Sequence, residues 1–163
     1  GLLGLAARGA PRVVETNVDS RKELERVLKQ ACEAYIMHAT KLVVEPMLSF
    51  ITKVTAVKVV QGGAEAKPLR EHAFAAVERI EEMVASVNAA LKEALPAAVA
   101  QAQLYIPSER TRAILFKPVK SNIAEAHGQI ASLLEEDYSA EEVASAGLHP
   151  PTELAALLDQ TLR

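Results

Sequence analysis

Between Phe116 and Leu133 the apolar residues Phe116, Val119, Ile123, Ala126, Ile130 and Leu133 step by 3, 4, 3, 4 and 3. That spacing puts all six on one face of an α-helix. No stretch of the chain alternates with the period of two that a half-buried strand requires. A chain with this pattern has to bury helix stripes against other helix stripes. The expected fold is therefore all-α: an elongated antiparallel bundle of about five helices, bent at prolines.

The segment around the stripe has its own boundaries. Ser108 follows Pro107 as a candidate N-cap, with Glu109 in the first turn. Pro118 removes one backbone donor and meets the carbonyl of Ile114. Two helices, about 108–117 and 118–136, joined at a bend, are expected. Phe116, Val119 and Ile123 are the core residues beside that bend.

The other segments follow the same logic. Residues 1–18 read as a lead-in, because Gly4, Gly9 and Pro11 interrupt any regular pattern. Leu2, Leu3 and Leu5 are expected to end a helix that starts earlier, and Gly1-Leu2-Leu3-Gly4 looks like a cut end. Ser20 and Glu23 form an S-x-x-E capping box, which predicts a helix start at Arg21. Leu24, Leu28, Ala31, Tyr35, His38 and Leu42 continue that helix, with a Glu25–Lys29 pair on its surface. Pro46 should kink it, and Gly62-Gly63 should stop it after Val60. Pro68 reads as the first residue of a helix whose face carries Leu69, Ala73, Ala76, Ile80, Val84, Val87, Leu91 and Leu95. Pro96 should bend or break it. Tyr138 should pack back after the acidic run Glu135–Asp137. Ser139 and Glu142 form a second capping box, closed by Gly147. A last helix over 152–162 points Leu154, Leu157, Leu158 and Leu162 inward. Residues 19–163 thus read as a single bundle domain.

Composition narrows the function. Half the residues are hydrophobic, only 4% are aromatic, and the net charge is −3. This balance disfavours nucleic-acid binding. One cysteine, Cys32, excludes an internal disulfide and a Cys-rich zinc site, and fits a reducing compartment. No apolar run reaches the ~18 residues of a membrane span. His38, His72, His127 and His149 stand far apart, without metal-ligand spacing. His38 reads as a half-buried packing residue and Cys32 as a buried, inert thiol. The many carboxylates read as a solvated face. No catalytic, cofactor or metal site is expected. Arg110, Arg112, Lys117 and Lys120 bracket the Pro118 bend. They form a solvated face or, functionally, a basic patch for an acidic helix or an anionic membrane surface.

Several blocks carry a resemblance. They are Asp19-Ser20, Ala31-Cys32-Glu33, Thr40–Glu45, Phe50–Val54, Leu104-Tyr105-Ile106 and Ile114–Ile123, then Leu133–Ser139 and Glu141-Glu142. In this order and spacing the chain, over about residues 11–163, resembles the C-terminal region of the subunit-three family of the conserved oligomeric Golgi complex. The linker at 61–68 is short for that family, and the alanine enrichment of 73–102 departs from it.

The resemblance implies a non-catalytic module of a rod-like, multisubunit vesicle tether. Such a tether acts in intra-Golgi retrograde transport and so keeps glycosylation enzymes in their cisternae. It implies peripheral association with the cytosolic face of Golgi membranes. The implied partners are subunits one, two and four of the complex, and SNAREs, Rab GTPases and coat proteins. The alternative is a peripheral membrane-surface module that binds anionic lipid through the basic residues.

Overall fold

The structure, a computed structural model, describes residues 2–62 and 67–163, with side chains from residue 16 onward. Among the described residues every regular element is helical. The elements are α1 (Leu2–Val60), α2 (Val77–Ala89), α3 (Leu95–Tyr105), α4 (Glu109–Asp137), α5 (Ala140–Ala146) and α6 (Pro151–Thr161). Two short 3₁₀ turns, Leu69–Glu71 and Ala73–Ala75, precede α2, and a π turn, Ala90–Ala94, joins α2 to α3. The chain divides into two compact units, Gly1–Tyr35 and Ile36–Arg163.

In the first unit the backbone is helical from Leu2 onward. The expected helix start at Arg21 is absent, and Gly4, Gly9 and Pro11 do not break the helix. The expected capping box does not form at Glu23. Its carboxylate does not turn back to cap Ser20; it pairs with Arg26 one turn on, through Nε at 3.1 Å and a second guanidinium nitrogen at 2.5 Å. Among the described residues that pair, and not Glu25–Lys29, forms a surface bridge, and Arg26 holds the pKa of the Glu23 carboxyl below its usual range. Leu24, Val27, Leu28 and Cys32 are exposed, so the expected buried thiol is corrected. The side chains of Leu2, Leu3 and Leu5 lie outside the described residues.

The second unit is a bundle of four legs among the described residues. Ala39, Val43, Met47, Phe50 and Val54 are the buried face of α1, stepping by 4, 4, 3 and 4. His38 lies one residue before this face begins and is exposed, which corrects its half-buried reading. Thr40 and Val44 border the same cleft as Asn122 and Ala126, while Val57 and Lys58 border one with Asp137. The first leg and α4 therefore run in the same direction. Tyr138 Oη donates to the carbonyl of Ala75, and Gln103 Nε2 donates to that of Arg163 at 3.1 Å. The α2–α3 leg thus runs against α4 and alongside α5–α6. Lys120 pairs with Asp159, which sets α6 against α4.

Pro118 does not divide its segment into the two helices expected, whereas the helix through Pro46 ends at Val60 as expected. α1 passes through Pro46 and α4 through Pro118, each as one uninterrupted helix. A helical proline deprives the carbonyl four residues earlier of its donor. Those carbonyls belong to Leu42, which is half-buried, and Ile114, which is exposed. Solvent can replace the missing bond there, so the helix need not restart. At Pro96 the π turn solves the same problem. The Leu95 amide bonds the carbonyl of Ala90, five residues back, and Pro96 then falls in the first turn of α3. A missing N–H costs nothing in a first turn.

Pro68 does not open a long helix. Pro68, His72 and Ala76 are extended, and α2 begins only at Val77. Tertiary contacts hold this segment open. Phe74 packs on Phe50 with ring centroids 5.8 Å apart, and the Ala75 carbonyl is taken by Tyr138. Burial, and then the charge of Asp137, push the Tyr138 phenol up to about 12, so it remains a donor.

From Ile80 onward the expected face is buried: Ile80, Val84, Val87, Leu91 and Leu95. On α4 the stripe ends on Leu134, with Leu133 only half-buried. Both ends of α5 are as the sequence indicated. Ser139 and Glu142 cap each other at 3.2 and 2.9 Å, and Gly147 closes the helix at φ 77°. The helix stop after Val60 also stands, with Gly63 outside the described residues. Each fully buried aliphatic side chain contributes ~1.5–3 kcal/mol, whereas exposed ion pairs contribute ~0–1 kcal/mol. The apolar stripes, not the bridges, hold the bundle.

Candidate interaction surface

Several hydrogen bonds converge at the corner where α3 hands over to α4. Ser108 is extended and its hydroxyl accepts from the Thr111 amide at 3.3 Å, which caps α4. Ser108→Ala is expected to cost about 1 kcal/mol. Thermal melting should show it as a drop of about 2–4 °C.

The four cations singled out in the sequence separate into two pairs. Arg112 faces inward. Its Nη1 donates to the carbonyls of Ile106 at 2.7 Å and Pro107 at 2.8 Å, and its Nε to that of Arg163 at 3.1 Å. It ties the α3–α4 link and the end of α6 together. Lys120 is committed to Asp159. Arg110 and Lys117 are exposed and form no ion pair among the described residues. They lie four before and three after Ile114, which is 74% exposed. The three share one side of α4 over ~10 Å. Leu104 and Tyr105, the last residues of α3, are 80% and 85% exposed. The opposite side of α4 carries Phe116, Val119 and Ile123, at most 2% exposed, with Pro118 half-buried beside them.

Two adjoining clefts run between α1 and α4. One, of about 510 Å³, lies among Ile51, Val54, Lys58, Gly128 and Leu133. The other, of about 290 Å³, lies among Thr40, Val44, Leu48, Asn122 and Ala126. They share Glu125 and Gln129. At Gly128 a side chain would meet nothing within 4 Å, so the cleft is open there.

His127 was missed as a core residue. It follows Ile123 by four and precedes Ile130 by three, a spacing that places it on the buried stripe. It is 1% exposed, and neither ring nitrogen has a hydrogen-bond partner among the described residues. Burial holds its pKa below the ordinary value, and the neighbouring His149 acts in the same direction. His149 itself lies 3.6 Å from Glu153. A lowered folded pKa means that the unfolded chain binds the proton more readily. Stability is full above the unfolded histidine pKa of ~6.5 and is lost as pH falls below it. The melting temperature should therefore drop between pH 7.5 and 5.5. In His127→Leu that drop should shrink; an equal drop would assign it to other groups.

No three His, Cys, Asp or Glu side chains among the described residues come together to hold a metal ion. Nor is any helix among them long and apolar enough to cross a membrane.

Residues 27–161 match the family model described as the COG3 C-terminal cap domain. The chain is 33% identical over 159 residues to the human protein named conserved oligomeric Golgi complex subunit 3, covering 96% of this chain and 19% of that protein. It is 34% identical over 144 residues to the mouse protein of the same name, covering 87% and 17%. It is 30% identical over 155 residues to the Dictyostelium discoideum one, covering 94% and 16%. The chain thus spans about a fifth of the length of these relatives. No solved structure matches it. With the model matched from the middle of α1 to the last turn of α6, the chain belongs to the family of the COG3 C-terminal cap domain.

Proposed function

We propose that the chain is a non-catalytic structural and interaction module of a Golgi vesicle-tethering complex subunit. It acts in intra-Golgi retrograde transport, and so in keeping glycosylation enzymes in their cisternae. The observation that carries this reading is the family match over residues 27–161. The relatives are named for a multisubunit Golgi complex. A helical bundle suits the role. Stripes from several legs make a rigid body, and exposed helix faces remain for partner helices.

On this reading the partners are the other subunits of the complex, especially one, two and four. SNAREs, Rab GTPases and coat proteins are further partners. Association with the cytosolic face of Golgi membranes is peripheral, through the complex. The test is retention of each other subunit by the purified chain, with its size-exclusion profile measured alone. Selective retention of one or more subunits supports an assembly module. A clean monomer that retains none moves assembly to other parts of the relatives' length, and the reading of this bundle as an assembly element fails.

A further inference from the structure

The exposed side of α4 has a pattern that neither the core nor the caps require. Ile114 is 74% exposed in the second turn of a capped helix, with an uncommitted cation one turn to either side. Leu104 and Tyr105 add two more exposed apolar side chains where α3 ends, with three residues between it and α4. Arg112 fastens the link between them through two carbonyls, so the corner is held in one arrangement.

On α4 this gives an apolar centre at Ile114 with positive charge one turn to either side, and the exposed end of α3 adds further apolar surface. The apolar side chains supply affinity, and the cations select a partner of opposite charge and speed its encounter. The positive stripe is short, ~10 Å along the axis. Glu109 precedes it, and Glu125 lies further along the same side of α4. A plane of anionic lipid laid along this side would also meet the Glu125 carboxylate. Two available cations would add only a weak attraction to it. A single helix crossing α4 meets Arg110, Ile114 and Lys117 without reaching Glu125.

We infer that the Leu104–Tyr105 and Arg110–Ile114–Lys117 corner docks an acidic amphipathic helix of a partner protein. The partner places an apolar residue on Ile114 and Asp or Glu one turn to either side of it. This deepens the tethering-module reading and rests on it only for the existence of a protein partner.

The test uses the full-length protein in cells, with a photo-crosslinker in place of Ile114 (Ile114→p-benzoylphenylalanine). A control crosslinker replaces Val59, which is 78% exposed at the other end of the bundle. The expected adduct at position 114 is a peptide of net negative charge with helical apolar spacing. Its yield should fall about tenfold or more when Arg110→Glu and Lys117→Glu are combined, and fall as salt is raised. The melting temperature of that variant should be unchanged, since both residues are exposed.

Four results would overturn the inference: no adduct above the Val59 control, a neutral or basic peptide, a lipid adduct, or a yield indifferent to the charge reversal. Pelleting with phosphatidylserine-containing vesicles that the reversal abolishes would transfer the corner to membrane binding. Subunit retention is scored separately. If retention persists without an adduct at position 114, only this inference fails. If retention is absent in the unsubstituted protein, the underlying reading fails.

Discussion

Phe116→Ala is expected to cost about 3–5 kcal/mol. Phe116 is 2% exposed and sits on the stripe with Val119 and Ile123, both fully buried. Removing the ring leaves a cavity that rigid helices on either side cannot fill, and the cavity adds to the lost transfer energy. A domain of this size has ~5–15 kcal/mol of stability in all, so the loss is a large part of it. With ~2–4 °C per kcal/mol at this length, the melting temperature should fall by about 6–20 °C. Denaturant titration should show a lower midpoint with an unchanged slope. A loss below about 1 kcal/mol would place Phe116 on a binding surface instead of in the core.

Leu158→Ala should cost about 2–5 kcal/mol. Leu158 is fully buried, and Leu154, one turn earlier, is 2% exposed. These two leucines seat α6 on the bundle. The polar contacts around them are weaker: the exposed Lys120–Asp159 pair, and the Arg163 carbonyl that accepts from Gln103 and Arg112. Exposed pairs of this kind are worth ~1 kcal/mol or less. They cannot hold α6 once the leucine contact is gone. Amide exchange should therefore accelerate along α6 more than along α2 in this variant. The Gln103 and Arg112 donors should also lose their shared acceptor, loosening the α3–α4 corner. Uniform destabilisation, with α6 still protected, would show that α6 is held by something other than its leucines.

Much of the bundle was legible because helices write their buried faces into sequence at steps of three and four. Ile80 to Leu95, Phe116 to Ile130, and Leu154 with Leu158 are buried on that spacing. Local caps were legible for a related reason. Ser108, the Ser139–Glu142 box and Gly147 act within one turn, so their chemistry does not depend on distant residues. The S-x-x-E at Ser20 shows the limit of this. The same four residues fit inside a helix, and an arginine one turn on claimed the glutamate.

Tertiary structure decided the rest. The period of α1 runs through Leu24, Leu28 and Ala31, yet these are exposed, and the fully buried face begins only at Ala39. A stripe says which side of a helix is apolar; it does not say where a neighbour stops. For that reason Cys32 and His38 are exposed despite lying near an apolar face. The division expected at Pro118 failed for a related reason. Whether Pro46, Pro96 or Pro118 breaks a helix depends on whether the carbonyl it strands can reach solvent or a π turn, which only the packed chain determines. Helix 69–95 lost its first turns to Tyr138 and Phe50, both far away in sequence. The basic residues needed the fold most. Their charge was evident from the sequence. That Arg112 and Lys120 are committed within the bundle while Arg110 and Lys117 face outward follows from where α6 comes to lie against α4, because a cation's availability is set by the acceptors within its reach.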